Sequence, residues 1–265
     1  SFLSFFPTVA VILNIEADHL DFFKDLEDVE RSFRSFADRV PEGGLIIANR
    51  DDANTMHALA GEERPILTFG LEEGDVHAAG LTWVNGLPAF DVVCRGEKFA
   101  HVELQVPGVH NVKNALAAAA SAIALRFPAA AVEEGLAAFR GAGRRFEHKG
   151  SFHGAEVYDD YAHHPGELQA LFSAVKGMGY ARIICAFQPH TYTRTRALFS
   201  DFVQVLREPD LTILAEIYAA RETDTLGVSS RDLAEQIPGS RYCATPGEVT
   251  ALLREIARPG DLILT

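Results

Sequence analysis

The chain has 265 residues, 48% hydrophobic and 23% charged, ordinary values that exclude disordered and fibrous architectures. Lys and Arg total 24 against 37 Asp and Glu, a formal charge of −13. That balance argues against a general nucleic-acid backbone binder, although not against one basic pocket for a nucleotide.

Cys94, Cys185 and Cys243 are too few and too far apart for a disulfide framework or a structural zinc site, which suits a reducing cytoplasm. No apolar run approaches the ~20 residues of a membrane helix, and no signal peptide is visible. Structure is expected from the first residues, and the last five read as a buried strand. The chain is therefore expected to be part of a longer protein.

In chain order, Val9–Leu13 is a β-branched apolar run and reads as a buried strand. Residues 29–40 have helical apolar spacing at Val29, Phe33, Phe36 and Val40. Strands follow at 45–48 and 66–69, with a helix over 52–60 between them, the alternation of a parallel α/β sheet. Residues 75–106 break that alternation. Short β segments over 76–78, 81–84, 89–94 and 99–106, with turns at Asn85-Gly86 and Arg95-Gly96, predict antiparallel hairpins. Helices are predicted over 112–126 and 129–139.

A second βα alternation then starts. Strands are predicted over 156–158, 182–187, 211–217, 241–244 and 262–265. Helices are predicted over 165–178, 194–207, 230–236 and 246–257. Five strands with four intervening helices predict a doubly wound domain. The boundary is placed between residues 144 and 145.

Ligands of open α/β sheets bind beyond the carboxyl ends of the strands, so those positions carry the chemistry. After the first strand comes Asn14-Ile-Glu-Ala-Asp-His19, followed by Asp21. These are suitable oxygen and nitrogen ligands for a divalent ion beside phosphate. On spacing alone they also read as an acid-rich helix start, which the macrodipole favours. After the strand at 156–158 comes Asp159-Asp-Tyr-Ala-His-His-Pro165, where adjacent like charges need a ligand or cation between them unless they only cap a helix. After the strand at 182–187 comes Gln188-Pro-His-Thr-Tyr-Thr-Arg-Thr-Arg196. A helix start with Arg suits an anion and runs against the dipole preference. Gly143-Arg-Arg-Phe146 suits a phosphate clamp, or else a charged linker. Asn111 and Asn114 share a helix face, and their carboxamides match a purine edge; capping by Asn111 alone is the plainer reading. None of the five lysines lies in a GxxxxGK[ST] loop, and no GxGxxG follows a strand.

Taken in order, these groups together with Gly108-Val-His-Asn-Val-Lys-Asn114 and Ile217-Tyr-Ala-Ala-Arg-Glu222 resemble the Mur ligase family over essentially the whole chain. The resemblance implies an α/β fold with two parts. Residues 1–144 would be a central ATPase domain, truncated before its phosphate loop, with a mostly parallel sheet and antiparallel hairpins. Residues 145–265 would be a C-terminal Rossmann-like ligase domain. An N-terminal domain for the UDP-sugar would be absent, so this stretch alone is expected not to turn over ATP.

The implied activity is ATP-dependent amide-bond formation in peptidoglycan synthesis. L-alanine would be joined to UDP-N-acetylmuramate through an acyl phosphate, with ATP and Mg2+ required. By the same resemblance His19 would bind magnesium, Asn111 and Asn114 would face ATP, Arg145 its phosphates, and Asp160 its ribose. Tyr161, His163, His190 and Arg194 would line the place where sugar carboxylate and amino acid meet. With Asp160 and Asn114 in different domains, nucleotide binding is expected to bias domain closure. Arg31 and Arg34 stand on a helix where several relatives carry a carbamylated lysine, so carbamylation is not expected. Two alternatives stay open. One is a ligase that recycles a tripeptide onto the same sugar. The other is a metal-dependent hydrolase built on Asp159–His164.

Overall fold

The computed structural model describes residues 2–17, 22–223 and 225–265. They form two compact units, Ser1–Phe139 and Arg140–Thr265.

The first unit is a six-stranded sheet in the order β1-β2-β3-β4-β5-β6. Strands β1 (Val9–Ile12), β2 (Leu45–Asn49), β3 (Ile66–Gly70) and β4 (Val76–Val84) run parallel; β5 (Leu87–Cys94) and β6 (Glu97–Glu103) continue antiparallel. Strand β2 is buried almost throughout, as a strand covered on both faces must be, whereas β5 buries alternate residues and covers one face only. The segments predicted at 76–78 and 81–84 are one strand, because a bulge between Ala79 and Thr82 absorbs the break in register.

Helices α1 (Leu26–Ala37) and α2 (Ala53–Ala58) pack their core on one side of this sheet, and α3 (Val109–Ala124) and α4 (Ala129–Ala138) on the other. Helix α1 starts three residues before the predicted first apolar position. The Asp25 side chain accepts from the Asp28 backbone N–H and fixes the first turn. Helix α3 presents Leu116 among Ala115, Ala119 and Ala120, and the small alanine side chains let it lie close to the strands.

The second unit is also a six-stranded sheet, ordered β11-β10-β9-β12-β8-β7. All neighbours are parallel except β7 (Glu147–Phe152), which pairs antiparallel with β8 (Ala155–Asp159). The sequence reading has no β7, because polar residues surround its only apolar end. Backbone pairing with β8 makes it a strand. Strand β12 (Asp261–Leu264) is wholly buried between β8 and β9 (Arg182–Phe187); β10 (Leu211–Ala215) and β11 (Arg241–Cys243) complete the sheet.

One face packs on α5 (Pro165–Lys176), α7 (Phe199–Val205) and α8 (Ser230–Gln236), the other on α9 (Pro246–Ile256). The helix predicted over 194–207 is two helices, α6 (Tyr192–Ala197) and α7, with Leu198 between them at ψ 22°. Among the described residues no helix is long and apolar enough to cross a membrane.

Candidate functional site

In the second unit the candidate residues lie beyond the strand ends. Beyond β8, the Asp160 carboxylate accepts from the backbone N–H groups of Phe146 and Ala162, each at 2.8 Å. The Asp160 N–H donates to the Thr265 carbonyl at 2.9 Å. Burial is the main influence on this carboxyl and raises it above its ordinary value, against the lowering effect of those bonds. Asp160 therefore ties the Arg144–Phe146 corner to the end of β8. That corner is strained: Arg144 and Phe146 hold φ of +57° and +48°.

The Arg144 guanidinium lies 4.6 Å from the Tyr161 ring and 3.3 Å from the Asp159 carboxylate. Arg145 keeps its side chain 54% exposed, with its nearest carboxylate, Glu167, 3.7 Å away, so its donors remain open to a ligand. Glu167 also accepts from the N–H groups of His163 and His164, while His164 Nδ1 accepts from Gly166 N–H. This reciprocal cap, with Pro165 in the first turn, starts α5 and fixes His163 beside it.

His163 Nδ1 lies 2.9 Å from the Tyr161 carbonyl, an acceptor, so in the neutral ring the proton sits on Nδ1 and Nε2 is left as an acceptor. Its ring is 6.2 Å from that of His190, beyond β9. Arg194 Nη1 lies 3.2 Å from His190 Nδ1. Arg can only donate, so Nδ1 accepts and Nε2 carries the proton. Burial first, then Arg194 and His163, hold the His190 imidazole below its ordinary value and favour its neutral form.

The predicted anion site at the start of α6 is filled by the protein itself. The Glu222 carboxylate accepts from the N–H groups of Tyr192 at 2.5 Å and Thr193 at 3.1 Å. What Arg194 offers a ligand is its guanidinium and not the helix start. Glu222 carried no role in the sequence reading; it lies thirty residues from its partners, beyond any local signal. Glu167 did have a signal, three residues after a cap-forming His164.

In the first unit, Asn111 Nδ2 donates to the Pro107 carbonyl at 2.7 Å, and Asn114 Nδ2 approaches Asn111 Oδ1 at 3.4 Å. These bonds set both carboxamides at the start of α3 and leave Asn114 Oδ1 and one of its N–H groups available. Lys113, between them, pairs with Asp51 beyond β2 at 3.1 Å. The segment beyond β1 is pinned by Asn49 to the Leu13 carbonyl, Asn54 to the Ile15 carbonyl, and Asp52 to the Ile15 N–H. The predicted magnesium ligand His19, and Asp18 and Asp21 near it, lie outside the described residues.

The alternative of a metal site on Asp159–His164 is not assembled. Among the described residues no three His, Cys, Asp or Glu side chains converge to hold a metal ion. Asp159 faces Arg144, Asp160 takes backbone N–H groups and His164 caps α5, so their donors are turned apart.

Comparison with known proteins agrees with both units. The model of the Mur ligase middle domain matches residues 2–122, and that of the Mur ligase glutamate ligase domain matches residues 144–265. The UDP-N-acetylmuramate–L-alanine ligase of Clostridium novyi (strain NT) is 44% identical over 269 residues, covering 100% of this chain and 59% of that protein. The chain thus spans about three fifths of the curated relatives it matches. Among solved structures, UDP-N-acetylmuramate-alanine ligase from Thermotoga maritima superposes with a TM-score of 0.79 at 24% identity, covering 99% of this chain and 56% of that one. A murein peptide ligase from Psychrobacter arcticus 273-4 superposes with a TM-score of 0.68 at 22% identity, covering 99% and 55%. With matching models over both units and this identity along its full length, the chain belongs to the Mur ligase family.

Proposed function

We propose that this chain is the nucleotide- and amino-acid-handling part of a cytoplasmic, ATP-dependent ligase of peptidoglycan synthesis that joins L-alanine to UDP-N-acetylmuramate. The observation that carries this reading is the grouping of His163, beyond β8, with His190 and Arg194, beyond β9, on either side of the central strand β12. A donor-only guanidinium, a neutral imidazole with an Nε2–H and a second imidazole with an accepting Nε2 suit a reaction between a carboxylate and an amine.

Phosphorylation by ATP turns the carboxylate oxygen of the sugar into a leaving group, and the amine then displaces phosphate. In this reading Residues 1–144 correspond to the ATPase part and residues 145–265 to the ligase part. Arg145 pairs with phosphate oxygens through its open guanidinium and stabilises their charge by position. Asn111 and Asn114 offer donors and acceptors to the base, and Asp160, already ordered by two backbone N–H groups, offers its remaining lone pairs to the ribose. Arg194 and the His190 Nε2–H hold a substrate carboxylate. His163 Nε2 accepts the proton that an ammonium must lose before its nitrogen can attack, with Tyr161 beside it at 5.3 Å between rings. Among the described residues no cluster could hold a metal ion, and Mg2+ would depend on His19; when bound it would neutralise charge on the phosphate oxygens.

Phosphate release by the full-length ligase, measured with L-alanine and with a tripeptide as acceptor, tests the reading. Stimulation by L-alanine is expected. Stimulation by the tripeptide alone would overturn it in favour of the recycling activity.

A further inference from the structure

The segment leading from β10 to Glu222 is held more firmly than a connection requires. At its root the Glu216 carboxylate accepts from Ile217 N–H at 2.8 Å, Ser230 N–H at 3.2 Å and the Tyr242 hydroxyl at 2.7 Å. Further along, Tyr218 forms a parallel bridge with His190: Thr191 N–H donates to the Tyr218 carbonyl, and Tyr218 N–H to the Pro189 carbonyl, each at 2.9 Å. At its end Glu222 takes the N–H groups of Tyr192 and Thr193, and the Thr193 hydroxyl donates to it at 2.5 Å.

The Tyr218 and Glu222 contacts flank Thr191, which holds φ +69° and ψ +144°. A β-branched residue avoids that region, which is populated almost only by glycine, and stays there only when its neighbours over-determine it. The strained turn has a product. Thr191 Oγ1 accepts from Arg194 N–H at 3.4 Å, and the turn brings the Arg194 guanidinium to His190 Nδ1.

We propose that Glu222 is a positioning residue for the ligase reaction. Its carboxylate clamps the strained start of α6 and thereby sets the Arg194–His190 pair in the orientation that receives a substrate carboxylate. This rests on the assignment of Arg194 and His190 made above. By filling the backbone N–H groups of Tyr192 and Thr193 with the protein's own anion, Glu222 also leaves the guanidinium as the donor for the substrate's charge.

The test compares E222A, E222Q and R194A in the full-length ligase, with KM measured separately for UDP-N-acetylmuramate, L-alanine and ATP. The His190 imidazole is followed by 15N NMR. E222A is expected to raise KM for one carboxylate substrate about tenfold or more while KM for ATP stays within about twofold, and to move the His190 resonances. E222Q, which keeps one acceptor oxygen, falls between. A variant that combines E222A with R194A is expected to be no worse than R194A, because Glu222 acts through Arg194. If R194A is impaired and E222A is not, the inference alone fails. If R194A is unimpaired, the site assignment fails and takes the inference with it. Equal losses for all three substrates, with unmoved His190 resonances, would make Glu222 a structural residue and overturn the proposal. Should E222A not fold, T193V removes only the hydroxyl donor and is expected to give the same selectivity at smaller size.

Discussion

Replacing Asp160 with alanine removes two backbone hydrogen bonds at once. Both Phe146 N–H and Ala162 N–H lose a charged acceptor at 2.8 Å. Bonds to a charged group contribute roughly 1.5–3 kcal/mol each, a gross loss of about 3–6 kcal/mol. Two effects reduce it. Burial already disfavours the ionised carboxyl, and the alanine variant no longer bears that penalty. Asp160 is also only partly buried, so water can reach the vacated N–H groups. The net expectation is about 2–3 kcal/mol of destabilisation at neutral pH.

Asparagine keeps one acceptor oxygen but turns an NH2 toward the other N–H, so D160N is expected to lose about half as much. Urea unfolding followed by far-UV circular dichroism measures both. The sign with pH is also defined. The folded-state pKa lies above the ordinary 3.8, so the proton-linked part of this group's stabilisation is fully present below 3.8 and is lost as pH rises through the raised value, leaving the hydrogen-bonded part at neutral pH. The parent's advantage over D160A therefore grows on acidification across that window. A D160A loss under about 0.5 kcal/mol, or a D160N loss exceeding it, would refute the view that this carboxylate holds the Arg144–Phe146 corner.

Asp261 is buried at the start of β12 and receives Arg182 Nε at 3.0 Å, Arg182 Nη2 at 2.6 Å and Arg258 N–H at 2.9 Å. D261A is expected to destabilise by about 3 kcal/mol in the same assay, the low end for a broken buried pair because Arg182 is partly exposed. Gly154, in the β7–β8 turn, holds φ +81°, which strains any L side chain, and a Cβ there would press on Pro259 atoms at 3.0–3.1 Å. G154A is expected to lower the thermal midpoint, with a loss of about 1–2 kcal/mol. For Glu222 burial raises the pKa, but the bonds from Thr193, Tyr192 and Thr191 outweigh it and hold the carboxyl below 4.5. Its stabilisation is present above 4.5 and lost as pH falls through the lowered value; E222Q should abolish that part of the acid transition.

Local chemistry made most of the framework readable in advance. Apolar runs of strand length, separated by capped helical repeats, foretold two α/β units, and the antiparallel excursion at 76–103 was marked by its Asn-Gly and Arg-Gly turns. Pro165 and Pro246 each open a helix where their fixed φ and missing N–H are harmless. The positions just beyond β8 and β9 pointed to the candidate site because strand ends are where open sheets bind ligands.

Roles within that site depended on partners far apart in the chain. Nothing near Asp159-Asp160 indicates that one carboxylate faces Arg144 while the other takes backbone N–H groups, yet that difference leaves the alternative metal cluster unassembled. Strand β7 exists only because β8 offers its edge, and the single helix expected over 194–207 divides at Leu198. The anion at the start of α6 arrives from Glu222, thirty residues onward. Side-chain periodicity and capping act within a few residues and can be read along a sequence. Hydrogen-bond partners brought together by parallel strand order can be assigned only after the sheet has closed the distance between them.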